Sequence, residues 1–128
     1  MYYILFLSRT NIDYLRNIIF ECVNNNKALE ITSKMIYCND YYLQYIEGEE
    51  KTIRSLFDII SQDNRHNNIK IILEGAIENR KCNTPLDYKH IAPTVLNDIN
   101  CSDLSDVCSL MPIKDDSEIM PFFAKLMK

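Results

Sequence analysis

Residues 2 to 8 read YYILFLS, a β-prone segment whose apolar residues follow one another without the polar alternation of a half-exposed strand. A strand of this kind is central and needs cover on both faces, so the rest of the chain has to supply two layers. From Asn11 onward, Leu15, Ile18, Ile19, Cys22 and Val23 recur at helical spacing, with Thr10 or Asn11 as the cap and the run Asn24 to Asn26 as the predicted end. Residues 29–37 (LEITSKMIY) and 41–47 (YYLQYIE) are β-branched and aromatic, and Cys38, Asn39 and Asp40 between them predict a hairpin. After Gly48 a second amphipathic helix is expected over Lys51 to Gln62. It carries Ile53, Leu56, Phe57 and Ile60 on one stripe, with Glu49 and Glu50 near its N-terminal dipole. Residues 69–77 (IKIILEGAI) read as a further strand.

The order βαββαβ is the split βαβ pattern and predicts an α+β, ferredoxin-like sheet with two helices on one face. Residues 78–93 turn polar, contain Pro85 and Pro93, and carry little periodicity. Helical signals follow around Thr94 to Asn100 and Leu104 to Leu110. A stronger one covers Asp115 to Met127, where Ile119, Phe122, Phe123 and Leu126 line a face. These C-terminal helices are expected on the other face of the sheet. At 128 residues and 47% hydrophobic, with no internal repeat, the chain has apolar content for one core. Residues 1–92 are expected to form the domain, with residues 93–128 as a helical extension of the same globular unit.

Charge and cysteine usage narrow the function. A net charge of −4 without clustered Lys and Arg argues against a nucleic-acid partner. No apolar run approaches the ~20 residues that span a bilayer, and MYYILFLSRT lacks a basic leader region and a cleavage site, so a cytoplasmic protein is expected. Five cysteines without tight paired spacing suit reduced thiols. Cys82, His90, Cys101 and Cys108 lack the short paired gaps of structural zinc. The fold also hosts small phosphate hydrolases, but Ser8-Arg9-Thr10-Asn11 offers one Arg and no Gly for an anion cradle, so no enzyme is expected. The most informative single residue is Gln44, because a Gln within an apolar strand costs free energy unless its amide is paired.

Four motifs in order carry a family resemblance: Asn26; Ile31-Thr32-Ser33; Tyr42-Leu43-Gln44-Tyr45-Ile46-Glu47-Gly48; and Asp63-Asn64-Arg65-His66. Together they resemble the BLUF family of flavin-based blue-light sensors from about residue 3 to about residue 80. The resemblance implies FAD, or FMN, held between the two helices with its ring edge against the sheet. Ile18 and Ile60 match the aliphatic residues that sandwich the ring; by pattern alone they are core. Asn26 matches the amide on the ring carbonyl and N3 edge, and alone it reads as a turn residue; Asn25 matches a less constant polar position beside it. Gln44 matches the residue on the flavin N5 and O4 edge. Arg65 and His66 match residues near the opposite edge and carbonyl, and also suit a helix C-terminus. Self-association and an unidentified protein partner are implied as well, for a short chain without a separate output domain.

One departure bears on the light reaction. The family's photoactive residue is a Tyr two positions before the Ser of the first strand, and here that position is Phe6. Phe has no O–H with which to donate a proton or orient the Gln amide. Phe6 and Gln44 share parity on strands expected to be neighbours. Tyr42 lies on the same strand face as Gln44, about 6.6 Å along the strand, but at a different position from the family's Tyr. Thr32-Ser33 in place of Thr-Gly is a milder change. The expected function is a flavin-binding sensory module with an impaired or altered photocycle. The alternative is a degenerate BLUF-fold interaction module without flavin, in which Gln44 pairs inside the core and the gap between the helices is filled.

Overall fold

The computed structural model describes residues 1–38 and 40–90. Its elements in chain order are β1 (Tyr2–Arg9), α1 (Ile12–Ala28), β2 (Thr32–Cys38), β3 (Tyr41–Gly48), α2 (Glu50–Gln62), β4 (Asn67–Ala76) and β5 (Asp87–His90). The sheet order is β4-β1-β3-β2-β5, which places the apolar β1 and the Gln-bearing β3 side by side in the interior. β1 pairs antiparallel with both β3 and β4, and β2 pairs antiparallel with β3. The α+β, ferredoxin-like expectation is met.

Strand parity assigns the two faces. Tyr2, Ile4 and Phe6 of β1, Met35 and Tyr37 of β2, and Tyr42 and Ile46 of β3 join Leu15 and Ile18 of α1 and Ile53 of α2 in one core. Leu56, Phe57 and Ile60 of α2 pack against it, so the helices share one face. The alternate residues Leu5, Ile36, Leu43 and Tyr45 on the other face are buried as well. The C-terminal helices expected there, and Cys101 and Cys108, lie outside the described residues.

Two expectations need correction. The first helix does not stop at Asn24 to Asn26 but runs to Ala28, with Leu29 as its cap and Glu30 at φ 56. Asparagine's helix penalty is well under ~1 kcal/mol per residue, and here it is outweighed because Asn26 lies on the buried face one turn beyond Cys22. At the other end Asn11 is the cap: its side chain accepts from the Asp13 N–H at 2.9 Å, while the Thr10 hydroxyl donates to the Arg65 carbonyl at 2.7 Å. The second correction is β5, within the stretch that had no readable pattern. Its residues Asp87-Tyr88-Lys89-His90 pair in parallel with Lys34 to Tyr37 of β2. A strand on the sheet edge needs no apolar alternation when the partner's backbone supplies its hydrogen bonds.

The return from β4 to β5 is held by Glu47. This fully buried carboxylate accepts from the backbone N–H of Lys81 (2.9 Å) and of Cys82 (2.7 Å), from the Thr32 hydroxyl (2.8 Å) and from the Tyr45 hydroxyl (2.7 Å). Burial, with the Glu47 charge adding to it, pushes the Cys82 thiol up to about 12. Hydrogen bonds to a charged acceptor contribute roughly 1.5–3 kcal/mol each, and orphaned buried donors add their desolvation cost. Glu47→Ala is therefore expected to lower the unfolding free energy by about 3 kcal/mol or more, measured by urea denaturation, with Glu47→Gln falling between it and the unmodified chain.

Candidate functional site

A cavity of about 100 Å³ opens between α1, α2 and the helix-covered face of the sheet. Every residue singled out from the sequence for a flavin site lines it: Ile18, Asn25, Asn26, Gln44, Ile60, Arg65 and His66. α1 contributes the first three because 18, 22, 25 and 26 follow its 3.6-residue period; β3 contributes Gln44; α2 and the turn after it contribute the rest. Leu56 and Ile59 add apolar lining from α2.

Gln44 is paired at both ends of its amide. The Tyr42 hydroxyl donates to its Oε1 at 2.6 Å, and its Nε2 donates to the Cys22 Sγ at 3.3 Å. Asn26 Nδ2 reaches the Pro85 carbonyl (2.9 Å), Ser33 Oγ (3.1 Å) and the same Cys22 Sγ (3.2 Å). Ser33, the residue that replaces the expected Gly, is fully buried and bonds the Pro85 carbonyl itself, so it links β2 to α1 and to the segment before β5. Cys22 and the Tyr42 hydroxyl are members of this cluster that sequence reasoning did not assign to it. Their signals were positional: Cys22 is one helical turn before Asn26, and Tyr42 is two residues before Gln44 on the same strand face.

Thiol sulfur is a weak acceptor, so the Gln44 Nε2 that rests on it is available to a stronger one, whereas the two hydrogens of Asn26 Nδ2 are also met by the Pro85 carbonyl and Ser33 Oγ. The Asn26 and Gln44 amides converge beside an aliphatic slot lined by Ile18, Leu56, Ile59 and Ile60. Among the described residues no group of His, Cys, Asp and Glu could hold a metal ion.

At the other end Arg65 bonds Asp63 through Nε (3.0 Å) and Nη2 (2.6 Å) and Glu21 through Nη2 (2.6 Å). These bonds raise the Arg65 pKa, and the guanidinium holds the Asp63 carboxyl below its ordinary value. His66 is 8% exposed; its ring meets the Tyr42 ring edge-on at 4.9 Å between centroids, and its Nδ1 lies 2.9 Å from the Ser8 hydroxyl. Phe6 is fully buried, opposite Gln44 in the strand register as parity predicted, with its ring between those of Tyr42 (6.0 Å) and Phe57 (5.3 Å).

Burial is the main cause that lowers the His66 pKa, so the folded state favours the neutral ring, whose Nδ1 lies against the Ser8 hydroxyl. Because the unfolded chain then binds the proton more readily, this contribution to stability is full above the unfolded pKa of about 6.5 and declines as pH falls through it. Urea midpoints are expected to drop between about pH 7.5 and about pH 5.5, with a smaller drop in His66→Phe.

Comparison with known proteins bears on the family and the fold. Residues 1–84 match the BLUF family model, described as sensors of blue-light using FAD. The alpha subunit of a photoactivated adenylate cyclase from Euglena gracilis is 28% identical over 81 residues, which are 63% of this chain and 8% of that protein. The chain therefore corresponds to a small part of that relative. Among solved structures, the BLUF protein BlrB in its dark state has a TM-score of 0.69 at 22% identity, covering 97% of this chain and 96% of its own. Photo-activated BlsA has a TM-score of 0.72 at 21% identity, covering 98% and 93%. With four motifs in order, the five-stranded sheet and the family match over residues 1–84, the chain belongs to the BLUF family of flavin-based blue-light sensors.

Proposed function

We propose that this chain holds a flavin, FAD or FMN, in the cavity between α1 and α2 and works as a sensory module whose blue-light response is altered by Phe6. The observation that carries this reading is the convergence of Ile18, Asn25, Asn26, Gln44, Ile60, Arg65 and His66 on one cavity. Ile18 and Ile60 sandwich the ring. The Asn26 and Gln44 amides bond its polar edge, with Asn25 beside them, and Arg65 and His66 meet the opposite side. A bound flavin supplies the blue-light-absorbing ring and its redox chemistry; the protein supplies orientation and hydrogen bonds.

Phe6 changes what the protein does around that ring. It occupies the interior of β1 opposite Gln44 with an apolar ring and no hydroxyl, so no proton can move from this position. The module acts through a protein partner or a second copy of itself, as the kinship with a light-activated cyclase supports. No helix among the described residues is long and apolar enough to cross a membrane, which suits a cytoplasmic place of action. A second reading, a BLUF-fold interaction module without flavin, draws on the pairing of Gln44 within the protein by Tyr42 and Cys22.

An absorption spectrum separates the two. The purified protein, loaded with excess FAD or FMN and desalted in the dark, is expected to keep flavin and to show little or none of the reversible red shift after a blue-light pulse. Phe6→Tyr is expected to gain the shift. Colourless protein after desalting would sink the flavin reading, and a full red shift in the unmodified chain would sink the claim about Phe6.

A further inference from the structure

We infer that Tyr42 is the positioning residue for the Gln44 amide, a hydroxyl supplied from β3 itself where position 6 of β1 offers none. A side-chain amide fits its surroundings almost equally well in two orientations related by a half-turn, and only its partners choose between them. Here the choice follows from distance. The 2.6 Å separation between Tyr42 Oη and Gln44 Oε1 is that of a short O–H···O bond, whereas an N–H···O bond centres near ~2.9–3.0 Å. Tyr42 therefore donates, and Gln44 turns its carbonyl toward Tyr42 and its N–H groups toward Cys22 and the cavity.

The surroundings fix the donor. Tyr42 is 1% exposed, with the Phe6 ring at 6.0 Å and the His66 ring edge-on at 4.9 Å. The phenol is wedged between a ring of β1 and a ring from the turn after α2, so its hydroxyl has little freedom to leave Gln44. Cys22 completes the choice from the other side, because its sulfur already accepts from Asn26 Nδ2 and is placed to accept from Gln44 Nε2 too. The Gln44 orientation is thus set by this chain's own residues before any ligand enters. Its meaning for light sensing rests on the flavin reading: the cavity receives a donor from Gln44 while Tyr42 holds the carbonyl away.

The test begins on the flavin-free full chain, where the Gln44 side-chain N–H resonances report the amide directly. In Tyr42→Phe, with fold checked by circular dichroism, these resonances are expected to shift and to exchange with solvent about tenfold faster, the ratio for loss of one net hydrogen bond. The double variant Phe6→Tyr with Tyr42→Phe returns a hydroxyl from the opposing strand and is expected to slow the exchange again. Unchanged Gln44 resonances in Tyr42→Phe overturn the proposal. Should that variant fail to fold, the unmodified chain decides: a slowly exchanging Tyr42 hydroxyl proton with a cross-relaxation peak to the Gln44 amide supports the assignment, and its absence overturns it. On FAD-loaded protein in the dark, Tyr42→Phe is expected to move the flavin absorption maximum, and an unmoved maximum overturns the role toward flavin. An unmodified chain that retains no FAD instead defeats the flavin reading, and the amide measurement still decides the role of Tyr42.

Discussion

Because β1 and β3 are buried on both faces, every polar group they carry has to find its partner inside the protein. This requirement organises the molecule more than any single apolar contact. Ser8 is answered by His66, Gln44 by Tyr42 and Cys22, and Glu47 by the backbone of Lys81 and Cys82. Apart from the Tyr42–Gln44 bond within β3, each of these ties an inner strand to a different outlying segment. Polar residues in the interior thus act as addresses for the turn after α2, the face of α1 and the return from β4. Hydrophobic burial makes the sheet and helices condense, but it is tolerant of small displacements, whereas a hydrogen bond at 2.7 Å is not.

The same requirement shapes the cavity. Its apolar walls come from helix stripes, which any two-helix layer would provide. Its polar corner exists because Asn26 and Gln44 converge on one sulfur atom. That weak acceptor leaves the Gln44 Nε2 lightly held, while Asn26 Nδ2 is also anchored on the Pro85 carbonyl and Ser33 Oγ. At the opposite corner Arg65 is engaged by two carboxylates and stays a fixed charge, while His66 is held neutral by burial. The cavity is therefore graded, from neutral, adaptable amides to a fixed ion-pair network.

How far this could be read from sequence depended on which force set each feature. Strand β1, the hairpin and α2 were legible because periodicity and turn residues act locally, and the four motifs then pointed to the residues lining the cavity. The end of α1 was misread because Asn24 to Asn26 are poor helix formers by propensity, while the burial of Asn26 is a tertiary fact. β5 was not legible because its four residues are ordered by the backbone of β2 and carry no pattern of their own. The place of Cys22 in the polar corner required knowing that α1 turns that sulfur toward β3. The presence of Phe6 was plain, but the reach of the Tyr42 hydroxyl to Gln44 was not, since strand spacing gives backbone distances and not where a long side chain ends.

The Pro85 carbonyl receives bonds from both Asn26 of the cavity and Ser33 of β2, two residues before β5 begins. Asn26 Nδ2 also meets Ser33 Oγ and the Cys22 sulfur, so its two hydrogens serve three acceptors where α1, β2 and the segment before β5 come together. A single side chain thus belongs both to the cavity wall and to the approach to the edge strand.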